Sequence, residues 1–221
     1  MQAEDALFFN AIKRGDQLAV EAFLSENPRL AGARDPGGMS AVLTALYYQQ
    51  EAIAQFLINR EAPLNLFEAS AAGAMDVVRE ILDAAPAQVN SWSADGFQPL
   101  GLACFFGREP LAAFLLERGA DAGASSRNLL NVQPLHSAVA GRNPGITRLL
   151  LDHGADPNAR QGEGFTPLHA AAQNGDMETI RLLLERGADS SARSSAGQSP
   201  AQIAAEAGQD QAARLIDHWG V

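Results

Sequence analysis

The chain has few of the residues that usually announce chemistry. Its 221 residues include one cysteine (Cys104), one lysine (Lys13), four histidines and two tryptophans. A single cysteine excludes an intrachain disulfide and fits a reducing compartment. Cys104 lies between Ala103 and Phe105 with no adjoining basic residue to stabilise a thiolate, so it reads as a buried, inert thiol. Paired cysteines for zinc are missing, as are H-E-x-x-H, a phosphate-cradling G-x-x-x-x-G-K-S/T and a G-x-G-x-x-G opening a helix after a strand. The net charge is −10, and the only tight basic pair is Lys13-Arg14, which reads as a solvated helix end. Without a basic stripe to neutralise phosphates, nucleic acid is excluded as an expected partner. There is no run of 18 apolar residues, and the opening MQAEDALFF has no basic segment followed by an apolar stretch. A membrane is likewise not an expected partner, and the expected location is the cytoplasm.

What the chain does have is a period. Residues 166–189 read TPLHAAAQNGDMETIRLLLERGAD, and the pattern returns in register with Pro99, Pro134, Pro167 and Pro200 at steps of 35, 33 and 33 residues. Such spacing is the signature of stacked repeats. Proline fits the first turn of a helix, where its missing N–H costs nothing, so Thr166-Pro167 starts one. Gly175 ends it, and Met177, Ile180, Leu183 and Leu184 recur at helical spacing along a second helix stopped at Gly187. Neither helix can bury its apolar stripe alone, so each unit must pack on its neighbours. A content of 47% hydrophobic but only 6% aromatic residues fits close helix contacts made by Ala and Leu.

These residues resemble the ankyrin-repeat family, in its bacterial type, whose pattern is T-P-L-H-x-A-A, then Gly, then an apolar helix ending in L-L-x-x-G-A-D. The match is closest at 166–189 and good at 133–156 and 98–121, where Gly101 replaces the usual His and Arg142 takes the usual Gly position. A degenerate copy follows at 199–219, and three weaker ones lie at 7–28, 40–63 and 66–86. The fold class implied is all-α: one α-solenoid domain over 1–221 of about seven helix-turn-helix units with short β-hairpin-like fingers. The units fall near 5–38, 39–63, 64–90, 91–125, 126–158, 159–191 and 192–221. From Ala41 to its counterpart Asn65 is only 24 residues, so the linker 62–65 is too short for a finger. The resemblance also implies that His136 and His169 bond turn backbone rather than a metal. His153 suits a helix carboxyl end, and Asp121, Asp156 and Asp189 read as turn residues that accept local backbone N–H groups. No catalytic, cofactor-binding or metal-binding residue is expected, and no cofactor.

In the family, the two residues before the helix-ending Gly and the fingertip residue two before the Pro face the concave groove. Carried over, these positions hold Tyr47, Tyr48, Phe97, Phe105, Phe106, Phe165, Gln173 and Asn174, which include both tyrosines and four of the ten phenylalanines. Rigid rings bury area at small entropic cost and mark binding hot spots; alternatively, the rings of units two and four fill the space left by the missing finger and by Ala71-Ala72. The function expected is a monomeric, non-enzymatic module that binds a protein partner through its groove. Other readings are a regulatory partner of an enzyme and, in a eukaryotic host, a substrate of an asparaginyl hydroxylase at Asn90 or Asn158.

Overall fold

Helix-forming segments alternate with turns along the described chain, and most of the turns carry glycine. The computed structural model describes residues 3–219; Met1, Gln2, Gly220 and Val221, the ends of the expected 1–221 domain and of its last unit, lie outside the described residues. The chain forms two compact units, divided between Ile81 and Leu82. The first contains α1 (Ala3–Arg14), α2 (Gln17–Glu26), α3 (Ala41–Tyr47), α4 (Glu51–Asn59), α5 (Leu66–Ala72) and most of α6 (Met75–Ala84). In it α1 packs on α3 and α3 on α5, while α2 packs on α4. The second unit holds the end of α6, then α7 (Pro99–Phe105), α8 (Glu109–Glu117), α9 (Pro134–Ala140), α10 (Pro144–Asp152), α11 (Pro167–Asn174), α12 (Met177–Glu185), α13 (Pro200–Glu206) and α14 (Asp210–Asp217). Here α7, α9, α11 and α13 pack in sequence as one layer, and α8, α10, α12 and α14 as another. All named elements among the described residues are helical, beside one isolated antiparallel bridge from Arg34 to Ser40.

Local chemistry sets the helix ends. Ser199 and Gln202 form a reciprocal capping box, as do Asn65 and Glu68, and Asp176 accepts from the Thr179 amide at 3.1 Å to start α12; each satisfies amides that a helix start otherwise leaves without partners. The turn after a first helix needs one left-handed residue. Gly175 supplies it after α11 (φ 64°), but Gln49 after α3 (φ 58°) and Arg142 after α9 (φ 54°) adopt the same conformation with a side chain attached, which costs roughly 1–2 kcal/mol each. Arg142 therefore keeps the geometry of the glycine it replaces in the repeat pattern.

The connection from α4 to α5 runs only over residues 60–65, whereas α10 to α11 takes 153–166. No hairpin projects from the short one, as the 24-residue spacing predicts. Elsewhere the fingers are narrow turns closed by one backbone bond at the base of the tip: Asp35 to Met39 (2.8 Å), Ser93 to Phe97 (2.8 Å), Gln161 to Phe165 (2.9 Å) and Ser194 to Gln198 (3.0 Å). Neighbouring fingers in the second unit are tied backbone to backbone, Arg127 amide to Gly96 carbonyl at 2.8 Å, Gly162 to Leu130 at 2.7 Å and Ser195 to Glu163 at 2.8 Å. The paired tips thus satisfy polar groups that isolated loops would leave to water.

The core is a column of Leu and Ala: Leu100, Leu135, Leu168 and Leu183 have no exposed surface, nor do Ala103, Ala138 and Ala171. Leu183→Ala should cost about 2–5 kcal/mol through the cavity it leaves, measured as a lowered urea midpoint at unchanged slope. At Gly101, buried inside α7, an added Cβ would meet nothing within 4 Å. Gly101→Ala should therefore raise stability by about 0.5–1 kcal/mol, the usual difference between these residues inside a helix; an unchanged or lower midpoint would show that the space is needed.

Candidate interaction site

The ends of the first helices carry the residues singled out in the sequence. Tyr47 closes α3 and Tyr48 caps it, both in the first compact unit. Tyr48 keeps 48% of its surface exposed and lies under the Lys13 ammonium, 5.5 Å from the ring centroid, a distance at which the ring quadrupole attracts a cation. The other six residues belong to the second unit. Phe105 closes α7 and is 41% exposed, and Phe106 caps the helix with its ring perpendicular to Phe105 at 5.1 Å between centroids. The next layer member approaches closely here: a Cβ on Gly141 would lie 2.5 Å from the Phe105 carbonyl oxygen, so only glycine permits the approach. One turn further, Asn174 at the end of α11 accepts from the Arg142 guanidinium at 3.5 Å, and Gln173 is exposed. Phe97 is half-buried. Phe165 is half-buried too, its ring edge against the His169 imidazole at 5.4 Å. The structure therefore places Phe105-Phe106 and Arg142–Asn174 at neighbouring helix ends, and sets Phe165 on the repeat's own histidine.

Sequence reasoning missed three features of the fingers. Arg34, Arg160 and Arg193 each reach over their own tip to the carbonyl of Gly38, Gly164 or Gly197 at 3.0–3.1 Å. Trp92 stands in the place of such an arginine, and the Arg127 guanidinium from the next finger stacks on its ring at 3.4 Å. The third is the finger over 118–133, whose closing bond runs from Ser126 to Val132 (2.7 Å), leaving a five-residue tip that includes Leu129 and Leu130. The 35-residue step from Pro99 to Pro134 was the available signal.

The polar side chains of the repeat hold neighbouring units together. The Nδ1 atom of His136 accepts the Gln133 backbone N–H at 3.2 Å and its Nε2 faces the Ala159 carbonyl at 3.1 Å; in His169 the same atoms meet the Thr166 N–H at 3.1 Å and the Gln198 carbonyl at 3.1 Å. A carbonyl only accepts and an amide only donates, so both rings are neutral with the proton on Nε2. Burial lowers both pKa values below the ordinary histidine range. Asn158 donates to the Gly187 carbonyl at 2.9 Å and accepts the Asp189 amide at 2.8 Å; Asn90 does the same with Gly119 (3.0 Å) and Asp121 (2.9 Å). Both ends of each amide are thus bound to the next unit, a structural duty that accounts for both residues. Asp189 accepts from the Ser191 hydroxyl and amide, which lowers its pKa below the ordinary carboxylate value. Burial pushes the Cys104 thiol well above its ordinary range. Among the described residues no three His, Cys, Asp or Glu side chains are grouped to hold a metal, and no helix is long and apolar enough to cross a membrane.

Paired short helices, turns tied unit to unit, and imidazoles that cap one unit while bonding the next define a helical-repeat protein. A family model described as ankyrin repeats (3 copies) matches residues 66–161 and 135–220, and the chain belongs to the ankyrin-repeat family. It is similar to the Ankyrin repeat and SAM domain-containing protein 6 of Rattus norvegicus and of Mus musculus, 34% identical to each over 102 residues. That stretch covers 46% of this chain and 11% of each relative, so the chain spans a small part of the length of the curated relatives it matches.

The histidine geometry makes stability depend on pH. A second proton, on Nδ1, would face a backbone N–H, and the folded pKa values of His136 and His169 lie below the unfolded value of about 6.5. The unfolded chain therefore binds more protons, so the stability from these rings is complete above about pH 6.5 and is lost as the pH falls below it. The urea midpoint should be lower at pH 5 than at pH 7, and His136→Gln with His169→Gln should flatten the difference. An equal fall in the variant would place the titrating groups elsewhere.

Proposed function

We propose that the chain is a non-enzymatic module of one repeat domain over 1–221 that acts as a cytoplasmic monomer and binds a protein partner through the ends of its first helices. Membership of the ankyrin-repeat family supports protein–protein interaction as the class of function. The single observation that carries the site is Phe105, a large apolar ring left 41% exposed at the end of a helix whose other residues are mostly buried. Phe106 braces it edge-on, and Arg142, Gln173 and Asn174 supply a polar margin in the same layer. An aromatic anchor with polar surroundings is the arrangement in which a few residues dominate binding energy. In the first unit, Tyr47 and Tyr48 stand at the same repeat positions as Phe105 and Phe106, and the exposure of Tyr48 supports their inclusion. The anchors sit on short packed helices, so little ordering is needed on association and less of the contact energy is spent on it.

The experiment is a comparison of capture and melting on the same variants. Phe105→Ala and Tyr48→Ala in the full chain should each weaken binding of the partner recovered by the wild-type protein from its native lysate by about 2 kcal/mol, roughly 30-fold, with the thermal midpoint unchanged. If the rings instead fill the space beside the missing finger, the midpoint drops and capture falls only with the folded fraction.

A further inference from the structure

We propose that the tip of the finger between α8 and α9 is a second docking element, which inserts Leu129 and Leu130 into an apolar socket with a basic rim on a protein partner. The other tips close with three residues and end in a glycine of positive φ, as at Gly96, Gly164 and Gly197. This tip has two more residues, and Asn131 takes the glycine's place at φ 49°. The chain uses the added length to carry a leucine pair out of the protein: Leu129 is 99% exposed and Leu130 58%. A scattered surface leucine needs no explanation, but these two sit together on a held loop.

The loop is held from inside and from both sides. The Asn128 carboxamide oxygen accepts the Ser126 hydroxyl at 2.9 Å and the Leu130 amide at 3.1 Å, and its nitrogen donates to the Asp95 carbonyl at 3.0 Å on the preceding finger. On the other side the Leu130 carbonyl accepts the Gly162 amide at 2.7 Å. Fixing the backbone while leaving the leucine side chains in water means that a partner gains apolar burial without ordering a loop. The flanking tips show the chemistry of that partner. Asp95 stands exposed on one side and Glu163 on the other, each next to a residue bonded to the leucine tip. The cation of the tip itself, Arg127, is stacked back on Trp92. A socket that accepts the leucines therefore meets two outer carboxylates on a chain of net charge −10, which favours basic side chains at its rim and disfavours acidic ones.

The test uses a phage-displayed library of random 16-residue peptides, selected on the full chain with counterselection on the Leu129→Ser, Leu130→Ser double variant. The recovered peptides should combine large apolar residues with Lys or Arg. Their affinity should fall at least tenfold in the double variant while its thermal midpoint stays unchanged, and threefold or more in Asp95→Asn with Glu163→Gln. Phe105→Ala should leave them unaffected, which separates this element from the helix-end site. Failure to recover peptides, peptides rich in acidic residues, or affinity indifferent to the leucine pair would overturn the proposal. A concentration-dependent dimer in sedimentation that the double variant abolishes would overturn it too, by making the occupant a second copy of the chain.

Discussion

A pair of helices seven to nine residues long has no interior of its own. Isolated helices of that length do not hold together in water, and one pair offers too few side chains to enclose Leu168 or Leu183. Enclosure is completed by the neighbouring pair, which is why α7, α9, α11 and α13 pack in sequence and why small residues such as Ala103, Ala138 and Ala171 are fully buried between them. Dependence on the neighbour extends to the polar groups. His136, His169, Asn90 and Asn158 each cap or bridge a turn and then bond the backbone of the following unit. The turns are consequently as regular as the helices.

The same constraint explains what happens where the repeat departs from its pattern. Glu68 occupies the repeat position of the histidines, and one of its oxygens accepts the Asn65 amide at 2.9 Å just as Nδ1 does in His169. Its other oxygen cannot do what Nε2–H does, because a carboxylate has no proton to offer a carbonyl. It meets a cation instead, the Arg34 guanidinium at 2.8 Å, with the Glu68 side chain wholly buried. The carboxylate and the short α4–α5 connection occur together: the junction before α5 brings no finger, and the partner comes from the finger between α2 and α3. At Gly101 the histidine is missing with no replacement, and open space is left beside the glycine. There Gln98 turns its amide nitrogen to the Asn90 carbonyl at 3.1 Å.

The helices and the missing finger were legible because they depend on spacing. Proline marks a helix start wherever it occurs at step 33, and a 24-residue interval cannot contain a 14-residue connection as well as two helices. The bridging histidines were legible through the resemblance, which fixes their position in the unit. The finger chemistry was not, because it depends on which residue faces which across two loops. Nothing along the sequence connects Trp92 with Arg127, or Asn128 with Asp95. The extra length of the finger between α8 and α9 was visible as a step of 35 residues, but spacing counts residues without saying where they project. Burial was the other hidden quantity: Phe105 and Phe165 hold comparable groove positions in the pattern, yet one is exposed and the other packs against His169.

The division between bonded and exposed positions bears on how such a chain acquires partners. Where a side chain bridges units, any substitution must supply a new partner for the group it leaves, as Glu68 requires Arg34. Leu129 and Gln173 stand outside that network, so their chemistry is free to vary at little cost to folding, since exposed substitutions rarely shift stability by more than about 0.5 kcal/mol. Insertion is tolerated for a related reason. Two residues added at a tip leave the closing bond from Ser126 to Val132 and the ties to both neighbouring fingers intact, and lengthening a loop raises its closure entropy only slowly. The repeat thus confines its folding constraints to the faces between units and leaves the outer ends of helices and fingers open to variation in sequence and length.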